Sequence, residues 1–309
     1  SLFGSVRAVA GASGDGAVDW TAVAAAAKEA VSPGDLSVDS AERAAYAADV
    51  REARGAIEAV AGPFDLPATV EVQNRHHWID ANVPTFRAAL APLDRDVPGV
   101  ARVANTGSMA ASLAFVARHV LGQYDPPLLR EGGSALYVVH PNVTRAAGEL
   151  GVDRERFRRW IAFHEVSHAA EFGAAPWLDG YIEGQVREAV GALAEGSLDR
   201  EALADLDTTM TAVEGYAELL MDRTFDREYA DLRAALDARR EGGGPLTRLL
   251  RRLFGLGLKR RQYERGKAFF ESVADERGVE TAGLVWEGPE NLPTDVELDD
   301  PARWLARVA

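Results

Sequence analysis

The five residues 164–168 read His-Glu-Val-Ser-His, a spacing that suits metal chemistry. Histidines four residues apart on a helix project from the same face, so the rings of His164 and His168 can bind one cation. Glu165 is offset around the helix, where its carboxylate can accept a proton from a metal-bound water without being a ligand. The motif therefore predicts a zinc ion, two of its ligands and a general base.

The residues before the motif predict the helix that must position it. Phe157 and Ile161 precede His164 at helical spacing, so the histidines continue an apolar stripe that faces the interior. Asp153 is the expected N-cap of this helix, and Pro176 follows its expected end. Two core histidines that bind backbone carbonyls would give a similar pattern, so this structural alternative stays open here.

A third metal ligand is needed, because a catalytic zinc ion usually takes three protein ligands and keeps one position for water. Glu214 is preferred because it shares one helical face with Glu218 and Asp222 in an otherwise apolar segment. Glu218 is assigned to hydrogen-bond a ligand histidine. Glu188, 20 residues after the second histidine, remains a competitor, whereas Glu171 is expected to lie too close along the same helix.

Three further residues near these segments are candidates for a role in the site. His140 ends an apolar run and is a candidate substrate-binding residue, with the capping of a turn as the alternative. Tyr216 is a candidate for binding substrate or stabilising an oxyanion, with core packing as the alternative. Gly215 would let the backbone of another element approach closely.

The patterning of the whole chain predicts a mainly α fold with a small β element, in one domain over residues 1–309. Residues 1–18 are a candidate for a loosely ordered segment, and Asp19 and Ser40 are the expected caps of the first two helices. A loop is predicted at 122–134, and an extended, proline-punctuated tail follows residue 277. Helices are predicted at 19–31, 39–61, 76–93, 100–121, 153–173, 177–195, 199–238 and 246–277, with a Gly-Pro break at 242–245 and strands at 68–72 and 135–143.

The composition narrows the classes of function. The chain has no cysteine, which excludes disulfides, a thiolate zinc site and a cysteine nucleophile, so imidazole and carboxylate must hold any metal. The net charge of −14, from 34 basic and 48 acidic residues, argues against general nucleic-acid binding. Such an acidic surface is typical of a high-salt cytoplasm or follows from a GC-rich genome.

No run of 18 apolar residues occurs, so no membrane-spanning helix is expected. The first residues lack a clean apolar segment and are interrupted by Arg7, which does not suit a signal peptide. A cytoplasmic location is therefore expected, and the sequence leaves the oligomeric state open.

Several unusual strings resemble the zincin-like metallopeptidase family, which was formerly described as a domain of unknown function. The resemblance is greatest to a branch associated with deazaflavin coenzyme biosynthesis, an association that implies no particular step. The matching strings are VLGQYDPPLL (120–129), LYVVHPNV (136–143), RWIAFHEVSHAAEF (159–172), PWL (176–178), VEGYAELLMD (213–222), QYERGKAFF (262–270) and PENLPTDVELDDPARWLARV (289–308).

This resemblance implies a mainly helical zincin-like fold with His164 and His168 as metal ligands and Glu165 as the base. The family's Glu-Gly-aromatic segment falls on residues 214–216, which supports Glu214 as the third ligand. Glu218 stands where relatives often have an acid. The resemblance defines no substrate.

The sequence therefore predicts a zinc-dependent metallohydrolase that cleaves a peptide or small amide. A non-catalytic protein that keeps the zincin scaffold for binding or assembly is the first alternative, and the presence of Glu165 argues against it. A hydrolase acting on a small coenzyme precursor is the second, and the width of the cleft would separate it from a peptidase. Manganese or iron could replace zinc at such a ligand set.

Overall fold

A computed structural model describes residues 2–67, 69–126, 133–197, 199–225, 232, 234 and 260–309. Short 3₁₀ turns at Ala91–Leu93, Leu284–Trp286 and Pro289–Asn291 join some of the elements. The described elements are, in chain order, α1 (Leu2–Ala10), α2 (Trp20–Ala30), α3 (Ser40–Ala61), β1 (Val70–Gln73), α4 (Arg75–Ala89), α5 (Gly99–His119), β2 (Gly122–Asp125), β3 (Ala135–Val139), α6 (His140–Leu150), α7 (Arg154–Ala174), α8 (Leu178–Ala194), α9 (Arg200–Thr224), α10 (Arg260–Arg277), α11 (Val279–Gly283), α12 (Asp295–Asp299) and α13 (Pro301–Val308). The prediction of a mainly α fold with a small β element is confirmed.

The three strands form one sheet in which β3 lies between β1 and β2. Strand β1 runs parallel to β3, with Val70 opposite Leu136, and the chain returns through α4 and α5 as a parallel connection requires. Strand β2 is antiparallel to β3, with Gly122 opposite Val138. This order places β2 at one edge of the described sheet.

Two hydrophobic clusters meet at β3. The larger cluster gathers α3, α7, α9, α10 and the C-terminal turns, and it includes Leu136 and Val138 of β3. The smaller cluster gathers α2, α4 and α5, and it includes Val139. Alternate side chains of a strand point to opposite faces, which explains why neighbouring residues of β3 enter different clusters. Strand β3 is thus shared by both clusters, and the single domain stays a prediction.

Helix α7, which carries the histidine motif, is fixed at its start and along its buried face. The Asp153 side chain accepts a hydrogen bond from the Arg156 N–H, so the predicted N-cap is confirmed. Phe157 and Ile161 are almost fully buried, as the apolar stripe predicts. The buried Arg158 guanidinium pairs with Asp49 of α3 at 2.6 Å, which holds α7 against α3.

Helices α9 and α10 cross at a pair of glycines. A Cβ on Gly215 would lie 2.6 Å from the carbonyl oxygen of Gly266, and a Cβ on Gly266 would overlap the Thr211 backbone. No side chain fits between backbones this close, so only glycine permits the crossing. The prediction that Gly215 allows a close backbone approach is confirmed.

Most of the predicted elements are present in the described residues. The Asp19 cap is confirmed, whereas the second helix is capped by Asp39 and the expected cap Ser40 is its first residue. The predicted helix at 199–238 is confirmed to Thr224, and its later part lies largely outside the described residues, as do the break at 242–245 and positions 246–259 of the last predicted helix. Part of the segment 1–18 forms α1.

Three predictions are wrong over part of the residues that they cover. The strand predicted at 135–143 ends at Val139, and His140 begins α6 because Pro141 fits the first turn of a helix. Residues 122–125 of the predicted loop pair with β3 as a strand. The expected extended tail consists largely of short helical turns, two of them started by prolines, with Trp286 and Trp304 buried.

None of the described helices combines the length and the apolar composition needed to cross a bilayer.

Candidate metal centre

Three side chains from two helices converge in a group suited to hold a metal ion. His164 and His168 lie one turn apart on α7, and Glu214 lies on α9, which packs against α7. One ligand atom from each of the three residues lies within 4.8 Å of the other two. Among the described residues this is the group of histidines and carboxylates whose geometry suits a cation.

The ring of His168 is held between two carboxylates. Its Nδ1 atom donates to Oε2 of Glu171 at 2.8 Å, which leaves Nε2 to face Glu214. The distance from Nε2 to Oε1 of Glu214 is 3.9 Å, which is too long for a hydrogen bond. Zinc bonds of about 2.1 Å in a tetrahedron separate the ligand atoms by about 3.4 Å, so this gap fits a bridging ion after a small adjustment.

The neighbouring ring of His164 is packed between aromatic groups. It stacks on Trp160 with a centroid distance of 5.5 Å and an angle of 7° between the ring planes. It meets the ring of His168 edge to face at 4.7 Å. Packing of this kind restricts the rotation of both rings, which lowers the entropy cost of binding an ion.

The carboxylate of Glu165 lies against strand β2. Its Oε2 atom accepts a hydrogen bond from the Tyr124 N–H at 2.7 Å, and the side chain is buried. Gly122 allows this position, because a Cβ there would lie 2.8 Å from Cγ and 2.9 Å from Oε1 of Glu165. The edge strand therefore fixes one oxygen of the predicted base.

Burial has the largest effect on the pKa values of the two carboxylates Glu165 and Glu171. It raises the pKa of Glu165 to about 7, although the charge of His168 and the Tyr124 N–H oppose the shift. Burial also raises the pKa of Glu171 to about 7, against the attraction of His168. For His168 itself, burial acts to lower the pKa, but the charge and hydrogen bond of Glu171 outweigh it and the pKa rises to about 10.

A model of the zincin-like metallopeptidase family matches residues 18–197 and 189–305, two overlapping segments that together span most of the chain. The chain belongs to this family. The family predicted from the sequence is thereby confirmed, whereas the deazaflavin branch stays a prediction.

One solved structure also resembles this zincin-like chain over nearly its whole length. It is a protein from Chloroflexus aurantiacus described as a candidate hydrolase with a novel fold. The sequences are 30% identical, and the TM-score is 0.79 over 94% of this chain and 98% of the other. No curated protein matches the chain significantly. The family and this neighbour together support a hydrolase.

The other predicted residues of the zincin-like site lie in distinct surroundings. Glu218 is buried one turn after Glu214 on α9. Glu188 is exposed on α8 and does not belong to the group of three ligands. The structure therefore brings Glu214, rather than its competitor, to the two histidines.

His140 and Tyr216 are both buried. The Nδ1 atom of His140 lies 2.9 Å from the Tyr46 hydroxyl of α3, and burial lowers the His140 pKa. The ring of Tyr216 packs against Phe270 and Trp286, and burial raises its pKa. The surroundings of Tyr216 favour core packing, whereas His140 contacts a side chain of α3, and the substrate-binding roles of both residues stay predictions.

Sequence reasoning missed three contributors to the zincin-like site. Glu171 was considered only as a ligand, although a carboxylate at i+3 from a histidine on one helix can reach its ring. Gly122 and Tyr124 were assigned to a loop, so their contacts with Glu165 were not predicted. Strand β2 gives little local signal, because it has only four residues and two of them, Gly122 and Asp125, are of types that are uncommon in strands.

Proposed function

We propose that this zincin-like protein is a zinc-dependent metallohydrolase that cleaves a peptide or small amide bond. The observation that carries the proposal is the convergence of His164, His168 and Glu214, with the Glu165 carboxylate on the same helix as the histidines. A structural metal site does not need this carboxylate. Its retention favours catalysis over a scaffold role.

His164, His168 and Glu214 would hold the ion. A bound zinc ion supplies a Lewis acid that lowers the pKa of a coordinated water toward neutrality. Glu165 would accept a proton from the attacking water and return it to the leaving amine, so that both proton transfers use the same carboxylate. The Tyr124 N–H holds one oxygen of Glu165, which leaves the other for the proton.

Two further carboxylates are assigned to orient the ligands. Glu171 fixes the tautomer of His168 by accepting from Nδ1, so that Nε2 is presented to the ion. Glu218, buried on α9, is assigned to a similar role toward a ligand histidine. Both roles are positional, since neither carboxylate is proposed to touch the substrate.

The location and salt adaptation rest on the sequence alone. A cytoplasmic location stays a prediction, and the net charge of −14 suits a medium of high ionic strength. Activity that rises between about 0.1 and 2 M KCl would support the adaptation, and activity that falls over this range would contradict it.

Metal content measured by elemental mass spectrometry tests the ligand set. Wild type is expected to carry one equivalent of zinc, and His164→Ala and Glu214→Ala are expected to lose it. Glu188→Ala is the matched control, because this residue is exposed on α8 and should not alter zinc content. Zinc retained in Glu214→Ala and lost in Glu188→Ala would reassign the third ligand.

Turnover tests the base. Wild type is screened against a peptide library and a panel of small amides, and Glu165→Gln is expected to lower the rate by about 10²–10⁴-fold with zinc still bound. Cleavage of peptides alone would identify a peptidase. A zinc-loaded wild type that cleaves neither set would reject the hydrolase and favour the scaffold alternative.

A further inference from the structure

Three arginines line a second cavity, which shares no residue with the metal centre. Arg75 of α4, Arg118 of α5 and Arg145 of α6 surround a space of about 320 Å³ together with Val31 and Ser32. A volume of this size is near the lower end of the range for small-molecule pockets, about 300 Å³. It suits a single small group.

Neutral groups of the protein hold Arg75 in place. Its Nε atom donates to Oδ1 of Asn142 at 2.7 Å, and its Nη1 atom donates to the carbonyl of Ser32 at 3.1 Å. Asn142 is fully buried and donates in turn to the carbonyls of Ala117 and Val120. The guanidinium is therefore ordered before any ligand arrives, which lowers the cost of binding.

The other two guanidinium groups bind carbonyls at helix ends. Arg118 donates to the carbonyl of Ala30 at the end of α2, and Arg145 donates to the carbonyl of Arg118 near the end of α5. Such contacts stabilise the helix C-termini. They use one donor each and leave the full positive charge, because a carbonyl carries only a partial charge.

Among the residues that the structure describes, carboxylates compensate this cluster poorly, although the full sequence has 48 acidic and 34 basic residues. Within the described residues, the ion pair formed by these three arginines is that of Arg145 with Glu149, at 3.3 Å and partly exposed. Other arginines have closer partners, such as Arg158 with Asp49 at 2.6 Å. The cluster therefore concentrates positive charge on an acidic protein.

Two observations indicate that this cluster accommodates an anion. The Nε atom of Arg145 is buried and has no hydrogen-bond acceptor among the described residues. Burial lowers the pKa of Arg75, and the nearby charges of Arg145 and Arg118 lower it further. A bound oxyanion would supply the acceptor and offset the repulsion.

We infer that Arg75, Arg118 and Arg145 form a binding site for a phosphate group. The planar guanidinium matches the oxygens of phosphate with paired hydrogen bonds, and three of them balance a dianion. The group can be inorganic phosphate or the phosphate of a small ester, since both present the same oxygens to the cavity.

Calorimetric titration of inorganic phosphate into the full chain, freed of metal with a chelator, tests this site. Saturable binding of one equivalent is expected, and Arg118→Gln and Arg145→Gln should each weaken it by at least about tenfold. Arg118→Lys keeps the charge and should retain part of the affinity. Arg303→Gln is the matched control, because this exposed arginine pairs with Asp300 at 2.9 Å away from the cavity; its affinity should equal that of wild type.

The variant His168→Ala separates this site from the metal centre and should bind phosphate as wild type does. Absence of saturable binding, equal affinity in Arg118→Gln and Arg145→Gln, or loss of binding in His168→Ala would each overturn the inference. Phenyl phosphate distinguishes the two sources. Affinity equal to or above that of inorganic phosphate supports a phosphate ester as ligand, whereas exclusion of the ester supports the free ion.

Discussion

The metal centre and the arginine cluster hold their charges in opposite ways. At the metal centre, His168 lies between Glu171 and Glu214, so groups of opposite sign stabilise each other inside the protein. At the arginine cluster, guanidinium groups of the same sign are held mainly by neutral oxygens such as that of Asn142. The first arrangement supplies its own counter-charges, whereas among the described residues the second has one partly exposed carboxylate, Glu149, and would take the rest from a bound anion.

The two regions also differ in how they are encoded. The two proposed metal ligands on α7 and the proposed base come from five consecutive residues, where the helix repeat fixes their relative positions. The three arginines come from α4, α5 and α6 and are 43 and 27 residues apart (118 − 75 and 145 − 118), so no local repeat relates them. The spacing of residues along the chain therefore predicts a site that is built on one helix, but it does not predict a site that is assembled from several elements.

The largest effect is expected from a substitution at the crossing of α9, the helix that carries Glu214, with α10. Gly215→Val should lower the free energy of unfolding by about 3 kcal/mol or more, because its side chain meets the backbone of Gly266. Because Glu214 precedes Gly215, the shift of α9 should also move this proposed ligand and lower the zinc content of the protein. Phosphate binding at the arginine cluster should persist in the molecules that remain folded. Chemical denaturation and elemental analysis measure these effects.

The matched control for this change is Gly184→Val on the exposed side of α8. A Cβ at Gly184 meets no atom within 4 Å, so the free energy of unfolding should change by no more than about 0.5 kcal/mol. Equal effects of the two substitutions would mean that the close crossing of α9 and α10 does not support the centre.

A smaller effect is expected from the carboxylate that orients His168. Glu171→Gln keeps the shape of the side chain but removes the charge opposite Nδ1, and zinc affinity should fall by about 10–100-fold. Competition with a chromogenic chelator measures the change, and Glu188→Gln on exposed α8 is the control. Unchanged zinc affinity in Glu171→Gln would reduce the role of Glu171 to packing.

The pH dependence of zinc binding should separate the two regions. In the metal-free protein Glu171 raises the pKa of His168 to about 10, so below this pH zinc must displace a proton. Zinc affinity should therefore rise with pH, by about tenfold per unit for each proton released, between pH 6 and 8. The guanidinium groups do not titrate in this range. A chelator competition repeated at three pH values measures the slope, and an affinity that is flat or falls with pH would contradict the prediction.

The smallest effect is expected from breaking the ion pair between Arg307 and Glu297, which lie 2.7 Å apart. Hydrogen bonds from Arg307 lower the pKa of Glu297, whose carboxylate also accepts from Thr294. A lowered pKa in the folded state stabilises the protein above about pH 4.5, and this contribution is lost as pH falls through the folded pKa. Glu297→Gln should cost about 1 kcal/mol of unfolding free energy at pH 7, measured by urea denaturation.

This cost should shrink below about pH 4. Asp300→Asn, at the more exposed pair with Arg303, should cost less than about 0.5 kcal/mol. A cost of Glu297→Gln that stays constant with pH would show that the side chain acts by packing rather than by charge.

Sequence patterns predicted the elements whose signal is local. The apolar stripe of Phe157 and Ile161 and the cap at Asp153 predicted α7, because a helix of this length repeats its signal over several turns. Strand β2 was missed because its four residues carry no such repeat and pair only through β3. The turns after residue 277 were missed because prolines there start helices instead of ending them.

The amino-acid sequence by itself determined which chemistry is available. The absence of cysteine left imidazole and carboxylate as ligands, and the spacing of His164 and His168 placed two of them on one face. Tertiary structure decided which carboxylates join them. It brought Glu214 to the rings across the α7–α9 contact and Gly122 of β2 against Glu165, because these approaches depend on backbones packing closely and not on the separation of residues along the chain.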